Sequence, residues 1–274
     1  MMEKEILNME EAAELFNVSI KTFIKLLKEE KVPARKIGRE WRFSRKALVE
    51  WLASGDSQAY SASEVTDTRE FFNQVAPDWE RLSSSYYDES IKTRLLELEI
   101  LDRGMTLMDL GSGDGYISRA VAGYVEKVFA VDISREMLKE LKNKAAREGI
   151  SNIETIESDG QDVPLEDGCI DLVCASMYLH HIGEPEIAIR EMARVLKPRG
   201  IVYLADFYEH SDLELKEKMH DLWPGFKAAD LKQWFKNSGF VDIRIEKVQG
   251  RGSRTGTGDK AGTGVFTLLA VKGK

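Results

Sequence analysis

Three short stretches of this chain carry side chains whose types and spacing suit a nucleotide-like ligand. The first reads Asp109-Leu110-Gly111-Ser112-Gly113-Asp114-Gly115 and closes an apolar run over 105–110. Glycines at 111, 113 and 115 leave the backbone bare where it must approach a ligand closely. A second apolar run, over 128–131, ends at Asp132, 17 positions past Gly115. An α/β nucleotide site places a carboxylate there to accept both hydroxyls of a ribose. A third run, over 153–156, leads into Ser158-Asp159-Gly160. A carboxylate at that point can accept from an adenine amino group, and the neighbouring backbone can frame the ring. A dinucleotide fingerprint would need its third glycine at 116, which is Tyr116. No Gly-Lys-Ser/Thr of a Walker A loop is present.

These residues need elements that bring them together. The three apolar runs read as buried strands, and a fourth, over 169–182, opens into a turn at its end. An amphipathic helix over 186–196 follows, stopped by Pro198-Arg199-Gly200, and 201–207 reads as a fifth strand. Strands alternating with helices imply a parallel, doubly wound sheet with ligands at the carboxyl ends of its strands. Every candidate above sits at such an end. The pair His180-His181 lies in the turn after the fourth strand, where one imidazole could touch a substrate and serve as a general base. Adjacent residues on a helix point apart, so a shared metal is not expected, and no metal site is.

A different chemistry is written near the N-terminus. Between Lys21 and Lys46 stand ten basic residues and three acidic ones, a local charge of +7. Residues 56–274 carry 28 basic and 38 acidic residues, so a basic block is joined to an acidic remainder. Such a block suits a polyanion. Asn8 with Glu11 three residues on is a capping-box start for a helix. Ile20, Phe23, Ile24 and Leu27 give a second helix its apolar face. Pro33 blocks its continuation, Gly38-Arg39 reads as the tip of a tight hairpin, and Ser44 can cap a third helix. Lys21, Lys25 and Lys28 are spaced four and three apart and share one helix face.

The whole chain has 274 residues, 43% hydrophobic and 31% charged, with a net charge of -8. That is room for two domains of ordinary soluble composition. No run of 18 apolar residues suggests a membrane span, and the first residues lack the apolar core of a signal peptide. Two cysteines, Cys169 and Cys174, fit a reducing compartment, and a cytoplasmic protein is expected. The division expected is a basic, polyanion-binding module over 1–54, a Ser-rich polar linker over 55–68, and a larger module over 69–274, with a leading segment over 69–100 and a core over 101–274. The glycine-rich stretch 250–264 reads as a mobile loop between two strands.

The segment MEEAAELFNVSIKTFIKLLKEEKVPARKIGREWRFSRKALVEWL resembles the excisionase-type branch of the MerR-like winged helix-turn-helix domains. That resemblance implies duplex DNA as a partner, with Lys21, Thr22, Lys25 and Lys28 on the recognition helix and Arg39 and Arg42 at the wing. The segments DLGSGDG, VDIS, ESDGQDVPL, IDLVCASMYLHHI and EMARVLKPRGIVYLADF resemble class I S-adenosylmethionine-dependent methyltransferases, most closely the ubiquinone-biosynthesis-type (type 11) group. Where that group has Pro-Gly-Gly, this chain has Pro198-Arg199-Gly200. The fold implied is a doubly wound, mostly parallel seven-stranded Rossmann-like sheet. The cofactor implied is S-adenosylmethionine. Asp109, Gly111, Gly113 and Gly115 would hold its methionine part, Asp132 and Ile133 its ribose, and Asp159 and Gly160 its adenine. The Ser176 backbone would face the methionine amino group. The segment over 71–90 resembles the helical lid of this group, so Tyr86 and Tyr87 would close over the sulfonium, Tyr87 as a cofactor contact and Tyr86 beside the histidines as a catalytic one.

Methyl transfer to a reactive nucleophile is mainly a matter of positioning, so the lack of a catalytic triad is no obstacle. DNA amino-methyltransferases resemble one another in an Asp/Asn-Pro-Pro-Tyr/Phe turn, and here that turn is Ala175-Ser176-Met177-Tyr178. The Pro-Cys nucleophile of cytosine C5 enzymes is missing, and two cysteines are too few for a metalloid acceptor. The expected acceptor is therefore a small molecule. A second reading is a transcriptional regulator whose methyltransferase-like domain senses S-adenosylmethionine or another ligand without turnover. Either reading is compatible with a homodimer that reads two half-sites.

Overall fold

The computed structural model describes residues 4–16, 18–29, 32–38, 40–54, 67–84, 89–248 and 264–274. The chain divides into two compact units, Met1–Ala62 and Ser63–Lys274. The expected linker up to residue 66, Tyr86, Tyr87, Arg39 and the expected glycine-rich loop up to residue 263 lie outside the described residues.

The smaller unit runs β1 (Ile6–Leu7), α1 (Met9–Leu15), α2 (Ile20–Glu29), β2 (Arg35–Ile37), β3 (Glu40–Ser44) and α3 (Arg45–Ser54). The capping box forms as its residues dictate. The Glu11 N–H donates to the Asn8 side chain, and the Asn8 N–H donates to the Glu11 carboxylate, both at 2.9 Å. The Ala47 N–H reaches the Ser44 hydroxyl at 3.4 Å at the head of α3. β2 and β3 pair through Ile37 opposite Glu40, leaving a two-residue tip. Gly38 there takes φ +65°, which a tight hairpin asks of its first tip residue. Leu7, Ala12, Ala13, Phe23, Val32, Phe43 and Leu48 make a buried core around Phe23, whose ring meets Phe43 edge-on at 5.2 Å.

The larger unit opens with helices over 67–75 (α4), α5 (Trp79–Ser83) and α6 (Ser90–Glu97). Then come β4 (Thr106–Leu110), α7 (Tyr116–Val121), β5 (Lys127–Asp132), α8 (Arg135–Arg147), β6 (Ile153–Glu157), β7 (Ile170–Ser176), α9 (Pro185–Val195), β8 (Leu196–Phe207), α10 (Leu213–Lys218), α11 (Ala228–Asn237), β9 (Phe240–Lys247) and β10 (Val265–Lys272). The seven strands lie in the order β6-β5-β4-β7-β8-β10-β9. The first five run parallel, and β10 is antiparallel to both its neighbours. Successive strands grow outward from β4 to β6 and then restart on its other side with β7. A crevice opens where the order reverses, between the carboxyl ends of β4 and β7.

Strand alternation builds the core on both faces of the sheet. Met108 and Leu110 of β4 belong to one buried cluster with Val173 and Ala175 of β7. Leu107, Leu172 and Cys174 belong to the cluster on the other face. The α9 helix ends at Val195, before Pro198, and β8 begins at once, so the fifth strand is longer than the sequence suggests. At Gly200 a Cβ would come within 2.9 Å of the Lys197 carbonyl, so the one glycine kept from the family turn is the one with no room for a side chain.

Phe23 is fully buried at the centre of a unit with a small core. Phe23→Ala should therefore cost about 3–5 kcal/mol, as large-to-small changes at buried aromatics do. Amide hydrogen exchange across α1 and α2 in the full chain should accelerate in proportion; unchanged protection would show that the unit does not rest on this ring.

Candidate functional site

The β4 strand delivers Asp109 and then a turn in which Gly111, Gly113 and Gly115 take φ values of +72°, +52° and +90°. The Gly111 and Ser112 N–H groups donate to the Val131 carbonyl at 2.8 and 2.9 Å, which holds the turn against the end of β5. There Asp132 accepts from the Gly113 N–H on one carboxylate oxygen and from the Ser134 N–H on the other, both at 2.8 Å. Ser134 caps α8, accepting from the Met137 N–H at 3.1 Å. The Ser158 N–H donates to the Asp132 carbonyl at 3.1 Å, so the loop after β6 joins the same end of the sheet. In that loop the Asp159 side chain accepts from the Gln161 N–H at 3.0 Å, and Gly160 takes φ +80°. Asp109, the three glycines, Asp132, Ile133, Asp159, Gly160 and Ser176 thus all stand at the carboxyl ends of the four adjacent strands β6-β5-β4-β7.

Three polar side chains in this region are buried without a hydrogen-bond partner: one oxygen of Asp109, Ser112 Oγ and Ser176 Oγ. Cross-strand pairing of Leu110 with Ala175 sets Ser176 level with Gly111. Buried polar groups are ordinarily satisfied, so unfilled acceptors around the turn mark a place for a polar ligand group. The other Asp109 oxygen is spoken for, by the Ser118 N–H at 2.9 Å and the Ser118 hydroxyl at 2.6 Å. Burial pushes Asp109 up to about 7 and Asp132 up to about 6, against the hydrogen bonds that favour their charged forms.

The glycines have a further cause that spacing did not reveal. The Tyr178 ring lies against Gly111, where a Cβ would overlap it, and its hydroxyl lies against Gly160 in the same way. That hydroxyl donates to the Asp159 carbonyl at 3.0 Å. Gly111 and Gly160 therefore make room for an aromatic side chain of this chain itself. Gly115 makes room for Leu141 of α8, 2.8 Å from where a Cβ would stand. At Gly113 a Cβ would make only ordinary contact with the Trp79 indole, its nitrogen at 3.5 Å, so there the positive φ is the stronger demand.

Tyr86 and Tyr87, expected over the cofactor, lie outside the described residues. Among the aromatic groups the described lid supplies, Phe71 stacks on His220, and Phe72 and Trp79 lie nearer the glycine turn and the histidines. The Phe72 and Trp79 rings meet edge-on at 5.4 Å, and Phe72 meets His181 edge-on at 4.9 Å. Asn73 of α4 accepts from the Ser134 hydroxyl at 2.8 Å, which ties the lid to the cap beside Asp132. Lys144 bridges Glu80 of α5 and Asp114 of the glycine turn, at 2.6 Å to each.

The expectation that His180 and His181 point apart is wrong. They sit in a 3-10 turn over Leu179–His181, not in an α-helix, and their ring centroids are 4.0 Å apart. His180 Nδ1 is 2.7 Å from an Asp206 oxygen, and the Nε2 atom of His180 and the Nδ1 atom of His181 each lie 3.5 Å from Asp221 Oδ1. Burial opposes a charge on His180, but Asp206 and then Asp221 outweigh it and raise its proton affinity. Burial and the neighbouring His180 push His181 well down. Asp206 ends its strand in Leu-Ala-Asp-Phe much as Asp132 ends its own, a signal the sequence offered. Asp221 lies in a loop with no such signal.

In the smaller unit, Lys21, Thr22, Lys25 and Lys28 stand on α2, though their side chains are outside the description. Arg42 is half-buried on β3, pairs with Glu40 and donates to the Trp41 carbonyl at 3.0 Å.

Residues 108–204 match the family described as a methyltransferase domain. That match falls within the larger unit, from β4 to β8. Residues 6–56 match a helix-turn-helix domain. The ubiquinone/menaquinone biosynthesis C-methyltransferase of Escherichia fergusonii is 34% identical over 109 residues, 38% of this chain and 43% of that protein. The methyltransferase solved with the Trm112 activator of Haloferax volcanii superposes at TM-score 0.61, with 21% identity, over 74% of this chain and 98% of that one. A phosphoethanolamine N-methyltransferase of Haemonchus contortus, solved with S-adenosylhomocysteine, superposes at 0.57, with 18% identity, over 68% and 53% of the two chains. The chain spans about half the length of the curated relatives it matches. The unfilled polar groups beside Gly111 suit the charged end of a polar ligand.

The contact between Tyr178 and Gly160 is testable on stability. Tyr178→Phe removes one hydrogen bond and should cost about 0.5–1.5 kcal/mol. Gly160→Ala, at φ +80° and against the Tyr178 hydroxyl, should cost more. In urea denaturation the double variant should be less destabilised than the two single costs added together; strict additivity would show that the two residues do not share this space.

Proposed function

We propose that this chain transfers a methyl group from S-adenosylmethionine to a small molecule, and that its helix-turn-helix unit binds duplex DNA. The observation that carries the first part is the convergence on one crevice of Asp132, the left-handed glycine turn and the unpartnered Asp109, Ser112 and Ser176 groups. When bound, S-adenosylmethionine supplies an electrophilic methyl on a sulfonium. The chain's own residues do the holding. Asp132 keeps lone pairs beyond its two backbone donors and accepts the ribose hydroxyls, with Ile133 beside it. Asp109 and Ser176 accept from the methionine ammonium, and Asp159 and Gly160 frame the adenine. Phe72 and Trp79 of the lid keep water from the crevice. His180 has both ring nitrogens facing carboxylates, so direct contact with an acceptor falls to His181, the ring that meets the lid, and to Tyr86.

The Escherichia fergusonii relative is a C-methyltransferase of ubiquinone/menaquinone biosynthesis. A quinol-type ring is accordingly the first acceptor class to test, followed by small amines, with S-adenosylhomocysteine formation as the readout. Cofactor binding without turnover across such a panel would favour the second reading, a regulator that senses its ligand.

Asp132→Ala should weaken S-adenosylmethionine binding about 10- to 100-fold, the loss of hydrogen bonds to a charged group. Calorimetry showing unchanged affinity would remove Asp132 from the site. The pH dependence has a definite sign. Asp109 and Asp132 hold protons up to about 7 and about 6 in the free chain. A cationic ligand favours their ionised forms, so binding releases protons, and affinity should rise between pH 5 and 8 by the linkage of protons to binding. Calorimetry in buffers of different ionisation enthalpy reads that release directly.

For DNA, the α2 lysines neutralise phosphates, and the counterions released make affinity fall steeply with salt. Replacing Lys21, Lys25 and Lys28 by alanine should flatten the slope of log affinity against log salt by about 0.9 for each phosphate left without its lysine. Fluorescence anisotropy on duplex DNA from the chain's own upstream region measures it; no binding even at low salt would refute the proposal. Joining the two modules in one chain further suggests that ligand shifts DNA affinity by about 5- to 100-fold, with DNA shifting ligand affinity equally.

A further inference from the structure

The histidine turn holds a cluster that cofactor binding does not use. Asp221 is buried, with its side chain wholly out of solvent, and neither of its oxygens has a hydrogen-bond donor. One of them lies 3.5 Å from both His180 Nε2 and His181 Nδ1, and the three residues each offer a ligand atom within 4.8 Å of the other two. Asp206 accepts from the Leu179 N–H at 3.0 Å and from the Phe207 N–H at 2.7 Å. As an acceptor already so engaged, it assigns the ring proton of His180 to Nδ1, 2.7 Å away. In neutral His180 the Nε2 lone pair then faces an anionic oxygen with nothing between them. A buried carboxylate facing two imidazole nitrogens is met either by a proton on His180 Nε2 or by a metal ion that all three groups hold.

We propose that His180 Nε2, His181 Nδ1 and the Asp221 carboxylate bind a divalent transition-metal ion of the zinc class, with a fourth position open to water or a substrate oxygen. Two nitrogens and one oxygen are the donor set of catalytic zinc sites, which keep such an open position. Metal–ligand bonds of about 2.0–2.1 Å set tetrahedral ligand atoms roughly 3.4 Å apart, close to the spacing found. His180 has the outer partner such ligands ordinarily have, a carboxylate on its other ring nitrogen. The loop bearing Asp221 is clamped in place. Leu222 and Trp223 donate their N–H groups to the His180 carbonyl at 2.9 and 3.0 Å, and the Trp223 indole donates to the Ile182 carbonyl at 2.8 Å. Phe72 and Phe207 wall the two imidazoles at 4.9 and 5.3 Å between ring centroids. The metal displaces one weak contact, that of His181 Nδ1 with the His220 carbonyl at 3.4 Å.

The site does not depend on methyl transfer, and its test uses no methyl donor. The untagged full-length chain is stripped with a chelator and titrated with Co2+ and with Zn2+. Bound metal is counted by mass spectrometry and cobalt geometry is read from visible absorption. The expected result is one ion per chain and the intense cobalt bands of low coordination number. Asp221→Asn and His181→Gln, checked for folding by circular dichroism, should each weaken uptake at least about 10-fold, and Asp206→Asn about 10- to 100-fold. Uptake by wild type that stays far below one ion per chain at about 100 μM free metal would overturn the proposal without any variant, leaving a protonated His180 as the cation between the carboxylates. Undiminished binding in both ligand variants would overturn it equally, because the ion would then lie elsewhere.

Discussion

A carboxylate placed out of water must be met by donors or give up its charge. Asp132 is that carboxylate here, and much of the larger unit is arranged around it. One oxygen takes the N–H of Gly113 and the other the N–H of Ser134, so the end of β5, the glycine turn and the start of α8 become one hydrogen-bonded unit. Ser134 passes the connection outward through its hydroxyl to Asn73, which sets the lid in register with the same strand end. Two donors do not fully offset the burial, since Asp132 is still pushed up to about 6. The site is built with acceptor capacity to spare.

Tyr178 gives the glycine turn a second meaning. Its ring fits only because positions 111 and 160 have no side chain, and its hydroxyl bonds the carbonyl of Asp159. One aromatic residue thereby fixes the distance between the turn after β4 and the loop after β6. Its burial holds the phenol well above its ordinary proton affinity, so it stays a neutral donor. Met177, just before it, takes φ +53°. A non-glycine residue in that region is uncommon and persists where its surroundings hold it, here by an N–H donated to the Ala205 carbonyl at 2.8 Å.

What could be read from the residues is what depends on local pattern. Strand ends at Leu110, Asp132 and Ser176 follow from apolar runs closing on glycine or a polar residue. The capping box at Asn8 and Glu11 is a matter of spacing alone. The histidine turn was misread because periodicity does not separate a 3-10 turn from the start of an α-helix, and the two send neighbouring side chains in different directions. Asp221 and Trp79 could not be found from spacing. Each reaches the site from a separate stretch of chain, and only tertiary packing brings it there. The roles of Gly111 and Gly160 were half legible: the need for a bare backbone shows in the sequence, but the neighbour that imposes it stands 67 and 18 positions downstream.

The order of strands at the far side of the sheet has a kinetic consequence. β10, last of the seven along the chain, is inserted between β8 and β9, and β9 makes its ladder with β10 alone. β9 therefore cannot add to the sheet until β10 has docked on β8, whose partner residues lie near 58 to 70 positions earlier. Pairings so distant along the chain are slow to form, because the loop must close before the contacts can reward it. On the other side β4 pairs with β5 across 21 positions and β5 with β6 across 25, whereas β7, which completes the crevice, pairs with β4 across 65. The β6-β5-β4 side can thus form while the opposite edge is still an open ladder, and that edge is where a folding chain would expose unpaired strand to other chains.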